Sequence, residues 1–387
     1  MSLITNDLYK NLFKLLLFIW ILSIPFKNAI YQISTISLII FFVFHVFKTK
    51  QINVLKEFFF KSIPLSIGFF FIIFSMVLSN ILNLELLNNK SWHLIYMFII
   101  RYGLVFILLS YFFKIDFFRK KEIISFLLLS FILLSLTSLF QLLIGNDSLV
   151  NGLSGTLNSR NAFGLFLGMA FVLSLYLTKV NKTLSIFLLF IFLFFLIFSL
   201  SRSSWVATIC ASLIFVIFKF KNLKVRDFIY FLICVSILIL LYFNIDFLQK
   251  RVDLLLEGYS SQRFEIWIHT INLILEKKIF GYGIDSWLNL PDLYLHKFPD
   301  PHNMVLEILI YTGLFGLISC FYTIFIVLKE IYINKNFILF PMATYFLVIT
   351  QFDFGAFYSK ELLSFLTIFV FFVYSDTFKN NDELKKR

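Results

Sequence analysis

The chain has 387 residues, of which 60% are hydrophobic and 56 are phenylalanine, with a mean hydropathy of +0.90 and a formal net charge of +12. That composition excludes a soluble globular domain, and solid apolar blocks exclude a β-barrel, whose strands are about ten residues of alternating polarity. The positive charge sits on short connections between apolar blocks, so it reports membrane topology and argues against nucleic acid as a partner.

In chain order, apolar runs that suit a hydrocarbon core of about 30 Å fall at 8–24, 29–47, 62–82, 94–113, 123–144, 161–179, 184–199, 203–220, 226–243, 302–328, 336–352 and 358–375. They predict an all-α integral membrane protein of about twelve transmembrane helices, organised as a single polytopic domain over 1–387. The first run lacks a small-residue cleavage site and a second follows almost at once, so it reads as a retained helix. Cys210, Cys234 and Cys320 all fall within runs and are too scattered for a disulfide framework or a metal cluster.

Alternate connections carry Lys48, Lys50, Lys56 and Lys61; Lys114, Arg119, Lys120 and Lys121; Lys179 and Lys182; Lys219, Lys221, Lys224 and Arg226; and Lys329 and Lys335. With Lys10, Lys14, Lys379, Lys385, Lys386 and Arg387 at the ends, these are 22 of the 34 basic residues. The short connections between them hold only Lys27, Lys90, Arg160, Arg202 and Lys360. This positive-inside pattern places both termini in the cytoplasm.

That orientation turns 244–301, the one long connection, outward between spans 9 and 10. Within it, 261–280 predicts a surface helix with Phe264, Trp267, Ile271, Ile274 and Leu275 on one face, lying on the bilayer or roofing a cavity. Gly281-Tyr282-Gly283 ends that helix by tolerating left-handed backbone, and Lys277 and Lys278 suit its negative end. The loop therefore reads as an ordered lid.

Three positions at the external level carry chemistry. Arg202 occupies the short polar break Ser201-Arg202-Ser203-Ser204-Trp205, Arg263 opens the loop helix, and His302 follows Pro299 and Pro301 at the start of the tenth span. Two guanidiniums suit a diphosphate, because each offers planar, bidentate and permanently charged contacts. A histidine, with an ordinary pKa of about 6.5, can take a proton from a sugar hydroxyl. Each also has a plainer reading: Arg202 as a snorkelling anchor, Arg263 as a solvated helix residue, and His302 as a hydrogen-bonded cap.

Together these residues resemble the O-antigen ligase and polymerase superfamily of bacterial envelopes. The resemblance rests on Ser201-Arg202, Arg263 with Trp267, Gly281-Tyr282-Gly283, His302-Asn303 and Gly313-Leu314-Phe315-Gly316, together with Gly155-Thr156-Leu157-Asn158-Ser159-Arg160-Asn161 upstream. It covers about 150–320 by motif and the whole chain by topology. Where the family carries an acid two residues before the Gly-x-x-Gly, this chain has Tyr311, and Glu307 is the nearest acid.

The resemblance implies a glycosyltransferase at the periplasmic face of the inner membrane. It implies an undecaprenyl-diphosphate-linked glycan as donor and lipid A–core as acceptor for a ligase, or a second carrier-linked repeat unit for a polymerase. Arg202 and Arg263 would hold the leaving diphosphate in place of a metal, and His302 would deprotonate the acceptor, with inversion at the anomeric carbon. Arg160, Arg101 and Asn303 are candidate substrate contacts, and neither a cofactor nor a metal is required. The ordered motif set favours ligase over polymerase, and a protein-glycosylating relative is a third reading. A transporter or flippase is the competing class; it is disfavoured because Arg101 is the clearest charge well inside a span while the other polar groups gather at the external face.

Overall fold

A computed structural model describes residues 2–26, 28–86, 89–157, 159–178, 181–219, 236, 240–258, 262–352, 357 and 359–384. Among them there is no strand. The helices are α1 (Ser2–Ser23), α2 (Asn28–Thr49), α3 (Ile52–Lys61), α4 (Ile63–Leu82), α5 (Asn89–Phe98), α6 (Val105–Lys114), α7 (Lys120–Leu143) and α8 (Arg160–Leu177). There follow α9 (Lys182–Phe198), α10 (Arg202–Lys219), α11 (Asp246–Leu256), α12 (Arg263–Glu276), α13 (Met304–Ile333), α14 (Phe340–Ile349) and α15 (Lys360–Leu384). A π-turn, Ile99–Leu104, joins α5 to α6.

Among the described residues, seven segments are long and apolar enough to cross a membrane: Asn28–Thr49, Ile63–Leu82, Lys90–Lys114, Lys120–Leu143, Arg160–Leu177, Met304–Ile333 and Lys360–Phe378. Lys182–Phe198, Arg202–Phe218 and Phe337–Ile349 are apolar but shorter. The expected ninth span, 226–243, lies outside the described residues except at 236 and 240–243. So do Asn158, Lys27, Lys179, Lys221, Lys224, Arg226 and the last three residues.

The chain forms two compact units. The first comprises Met1–Ser130, Arg263–Asn336 and Asp353–Arg387. Here α1 packs on α2 through buried polar pairs, with Trp20 Nε1 donating to Thr35 Oγ1 at 3.1 Å. Within hydrocarbon such pairs satisfy groups that have no water to turn to. Helices α4 and α13 approach closely at Gly68, where an added Cβ would meet Thr323 Oγ1 at 2.4 Å. The second unit comprises Phe131–Gln262 and Phe337–Phe352. In it α8 meets α14 at Gly168, and Tyr345 Oη donates to the Leu165 carbonyl at 2.9 Å.

Two spans are interrupted, which apolar periodicity does not reveal. One interruption is the π-turn. The other is Gly313 within α13, at φ 66° and ψ −165°, a conformation reached essentially only by glycine. The chain over 278–283 fills this second break. Tyr282 and Gly283 donate their amides to the Ile310 and Tyr311 carbonyls at 2.8 and 3.0 Å. In return, Leu314 and Phe315 donate to the Lys278 and Ile279 carbonyls at 2.8 and 3.2 Å. An added Cβ on Gly313 would stand 2.2 Å from the Ile279 oxygen, and one on Gly281 would stand 2.7 Å from the Ile310 oxygen. Both glycine motifs thus belong to one splice.

One expectation about the loop changes accordingly. The loop helix ends at Glu276, so Gly281 and Gly283, although left-handed, are not its cap; they let the loop backbone reach α13. The face of α12 that packs inward carries Ile266, Thr270, Leu273 and Ile274. Of the apolar face expected to lie on the bilayer or roof a cavity, Ile274 is buried and Phe264, Ile271 and Leu275 are exposed.

Candidate active site

Pro299 and Pro301 keep residues 299–301 out of helix, so α13 begins only after them. Asn303 is its N-cap, and the side-chain oxygen accepts from the Leu306 amide at 3.0 Å. The expected contact residue Asn303 therefore commits that oxygen to the helix. His302, directly before the cap, sits in the left-handed region at φ 51°. For a side chain with a Cβ this conformation costs of order 1–3 kcal/mol, which the surroundings must supply.

Asp300 supplies part of it. The His302 amide donates to Asp300 Oδ1 at 2.6 Å, and His302 Nδ1 lies 3.0 Å from the same oxygen. Helix α12 supplies the rest, since Trp267 Nε1 donates to the Pro301 carbonyl at 3.0 Å and clamps the turn. Arg263, at the first position of α12, acts electrostatically on Asp300 as well. Burial pushes the Asp300 carboxyl up, but His302 and Arg263 together prevail and hold it below the ordinary carboxylate range. An ionised carboxylate beside Nδ1 favours the tautomer protonated there, which makes Nε2 the proton-accepting nitrogen.

Further contacts order the lid around this turn. His269 Nδ1 lies 2.5 Å from Asp292 Oδ2, and its ring stacks on Tyr294 at 4.5 Å between centroids. Tyr294 Oη donates to Glu265 at 2.6 Å. Asn83, the C-cap of α4, donates to the Ser79 and Gly281 carbonyls at 2.8 and 3.0 Å and accepts from Lys277.

Arg202 and Arg160 lie in the second unit. Arg202 opens α10 after Leu200, another left-handed residue, and its Nη1 donates to the Leu254 carbonyl of α11 at 3.0 Å. Arg251 of α11 donates in the opposite sense, from Nε to the Leu200 carbonyl at 3.1 Å. Two guanidiniums therefore flank the start of α10. Arg160, the first residue of α8, is exposed and reaches the Asn151 carbonyl at 3.5 Å. In the first unit Asp300 links His302 and Arg263, and Arg101 lies on the π-turn of the same unit. Sequence reasoning passed over Asp300 and Arg251. The signal for Asp300 was an acid between two prolines, two residues before the histidine; Arg251 had none beyond its charge.

Residues 187–321 match the family model described as O-Antigen ligase. The match takes in Arg202, Arg263, Asp300 and His302. The matched segment makes up about a third of the chain, and over it the chain is similar to that family. The chain is also similar to the ComP-specific O-oligosaccharyltransferase of Acinetobacter baylyi, at 29% identity over 195 residues, or 44% of this chain and 34% of that protein. The chain thus spans about a third of that relative's length.

Proposed function

We propose that the protein is a metal-independent, inverting O-antigen ligase at the periplasmic face of the bacterial inner membrane, with about twelve spans and both termini cytoplasmic. It moves a glycan from undecaprenyl diphosphate to a hydroxyl of lipid A–core. The observation that carries this reading is His302 held by Asp300 Oδ1, at 2.6 Å from its amide and 3.0 Å from Nδ1, within the segment similar to the ligase family.

The acceptor oxygen attacks the anomeric carbon as His302 Nε2 takes its proton. The bond from that carbon to the diphosphate oxygen breaks, and its electron pair leaves on the diphosphate. Arg263 and Arg202 stabilise the departing charge by bidentate contacts that strengthen as it develops. Arg160 contacts the substrates, as does Asn303 through the side-chain nitrogen that capping leaves over.

A second reading has support in the name of the A. baylyi relative, an O-oligosaccharyltransferase specific for ComP. Here the donor chemistry is the same and the acceptor hydroxyl belongs to a protein. A lipopolysaccharide gel from a strain lacking the gene separates these cases. Bare lipid A–core, restored to a ladder by wild type but not by His302→Ala at equal membrane levels, is the expected result. Core capped with one repeat unit would instead identify a polymerase. An unchanged ladder with loss of a glycosylated protein would identify the second reading.

A further inference from the structure

Arg101 lies inside the candidate span Lys90–Lys114, on the π-turn Ile99–Leu104. Such turns sacrifice regular helical hydrogen bonding and recur at functional sites. The guanidinium carbon lies 5.9 Å from the centroid of the Tyr31 ring, and Lys360 Nζ lies 5.6 Å from the same centroid. One aromatic ring therefore serves two cations, one from the α5–α6 span and one from the first residue of α15.

The cations are poorly balanced. Lys360 is 8% exposed; its ammonium donates to the Phe26 carbonyl at 2.6 Å and lies 3.7 Å from Glu361 Oε1. Among the described residues, no carboxylate lies within ion-pair distance of Arg101. The neighbours on which Arg101 acts are the phenols of Tyr31 and Tyr102 and the ammonium of Lys360. The Tyr31 hydroxyl pairs with Ser364 Oγ at 2.7 Å. Two cations face one carboxylate, and a net positive charge within a span is costly unless an anion or water compensates it.

The geometry also narrows the class of anion. Arg101 offers a planar fork of donors and Lys360 a compact point charge, a combination suited to phosphate oxygens. Arg101 stands 12 residues beyond Asn89, the start of an apolar helix, so an anion arriving there does best with an apolar body of its own. We propose that Arg101 and Lys360 form a binding site for a phosphate-bearing lipid headgroup, with Tyr31 and Tyr102 as its walls. The site does not depend on the transfer reaction. Its ligand is either the diphosphate of a polyprenyl carrier or the phosphodiester of an anionic phospholipid.

The test is native mass spectrometry of the full chain, delipidated in mild detergent and titrated with undecaprenyl diphosphate, dioleoyl phosphatidylglycerol or dioleoyl phosphatidylcholine. Wild type is expected to retain at least one of the two anionic probes about tenfold more strongly than phosphatidylcholine, as charge-assisted contacts require. Arg101→Gln and Lys360→Gln should each reduce that retention about tenfold, while Lys90→Gln leaves it unchanged. Preference for undecaprenyl diphosphate over phosphatidylglycerol would assign the carrier, and equal retention would assign a general lipid-phosphate site. Retention by His302→Ala would separate this site from the transfer chemistry. Equal binding of all three probes by wild type would overturn the proposal, as would full retention by both glutamine variants. Should Arg101→Gln fail to fold, Lys360→Gln and the wild-type probe preference still decide.

Discussion

His302 holds an unfavourable backbone conformation because three neighbours over-determine it: Asp300 on its amide and ring, Trp267 on the preceding carbonyl, and Asn303 as the helix cap. Asp300→Asn keeps the shape and removes the charge that selects the Nδ1-protonated ring. It is expected to lower kcat by at least about tenfold with little change in KM, measured as release of carrier diphosphate by purified protein. The same carboxyl gives a pH signature. Its folded pKa lies below the ordinary value, so its contribution to stability is present above that value and is lost as pH falls through the folded one. Wild type should therefore lose thermal stability in acid more steeply than Asp300→Asn does. His302 and Arg263 were legible because a histidine at a span mouth and an arginine opening a helix stand out in an apolar chain. Asp300 was not, since an acid between two prolines reads as an ordinary turn residue.

The structural unit that carries this turn is the splice between the loop and α13. Gly281, Gly283 and Gly313 all adopt positive φ, and the break exposes two carbonyls and two amides that the loop backbone satisfies one for one. Gly313→Ala combines a forbidden conformation with an overlap against the Ile279 carbonyl, and is expected to cost about 3 kcal/mol or more, read as a lowered Tm in detergent. Asn83→Leu removes donors to two carbonyls and should destabilise by about 2 kcal/mol in the same assay. Sequence located both glycine motifs but could not pair them, because their partners are backbone atoms about thirty residues apart, a separation no local pattern encodes. The inward face of α12 was legible only in part, for a different reason. Helical periodicity finds apolar stripes without saying which partner takes each one, and α12 has both an inward stripe at Ile266, Leu273 and Ile274 and an exposed one at Phe264, Ile268, Ile271 and Leu275.

Across the described residues, seven of the twelve expected spans correspond to segments long and apolar enough to cross a membrane, with boundaries that move by a few residues, as for 62–82 against Ile63–Leu82. Hydropathy could not foresee the two interruptions, since a π-turn and a spliced glycine leave the apolar content untouched. Broken spans in transporters direct unsatisfied backbone groups at a central ion or substrate. In α13 the four freed groups are consumed by the loop, so the break serves to anchor the lid. The positive-inside arrangement makes a global prediction that reporter fusions can check. Fusions after Lys121 and Lys335 should report a cytoplasmic location, and fusions after Gly145 and Leu293 an external one; a reversed pattern would invert the proposed topology.

The central claim is that Asp300, His302 and Arg263 release a glycan from its carrier diphosphate by activating an acceptor hydroxyl. The most direct measurement reconstitutes the full chain in liposomes with undecaprenyl-diphosphate-linked oligosaccharide and lipid A–core, and follows the appearance of free undecaprenyl diphosphate. Wild type should release it only when acceptor is present, and His302→Ala should be slower by about 10²–10⁴ while melting at the same temperature. Release by His302→Ala at the wild-type rate would contradict the account.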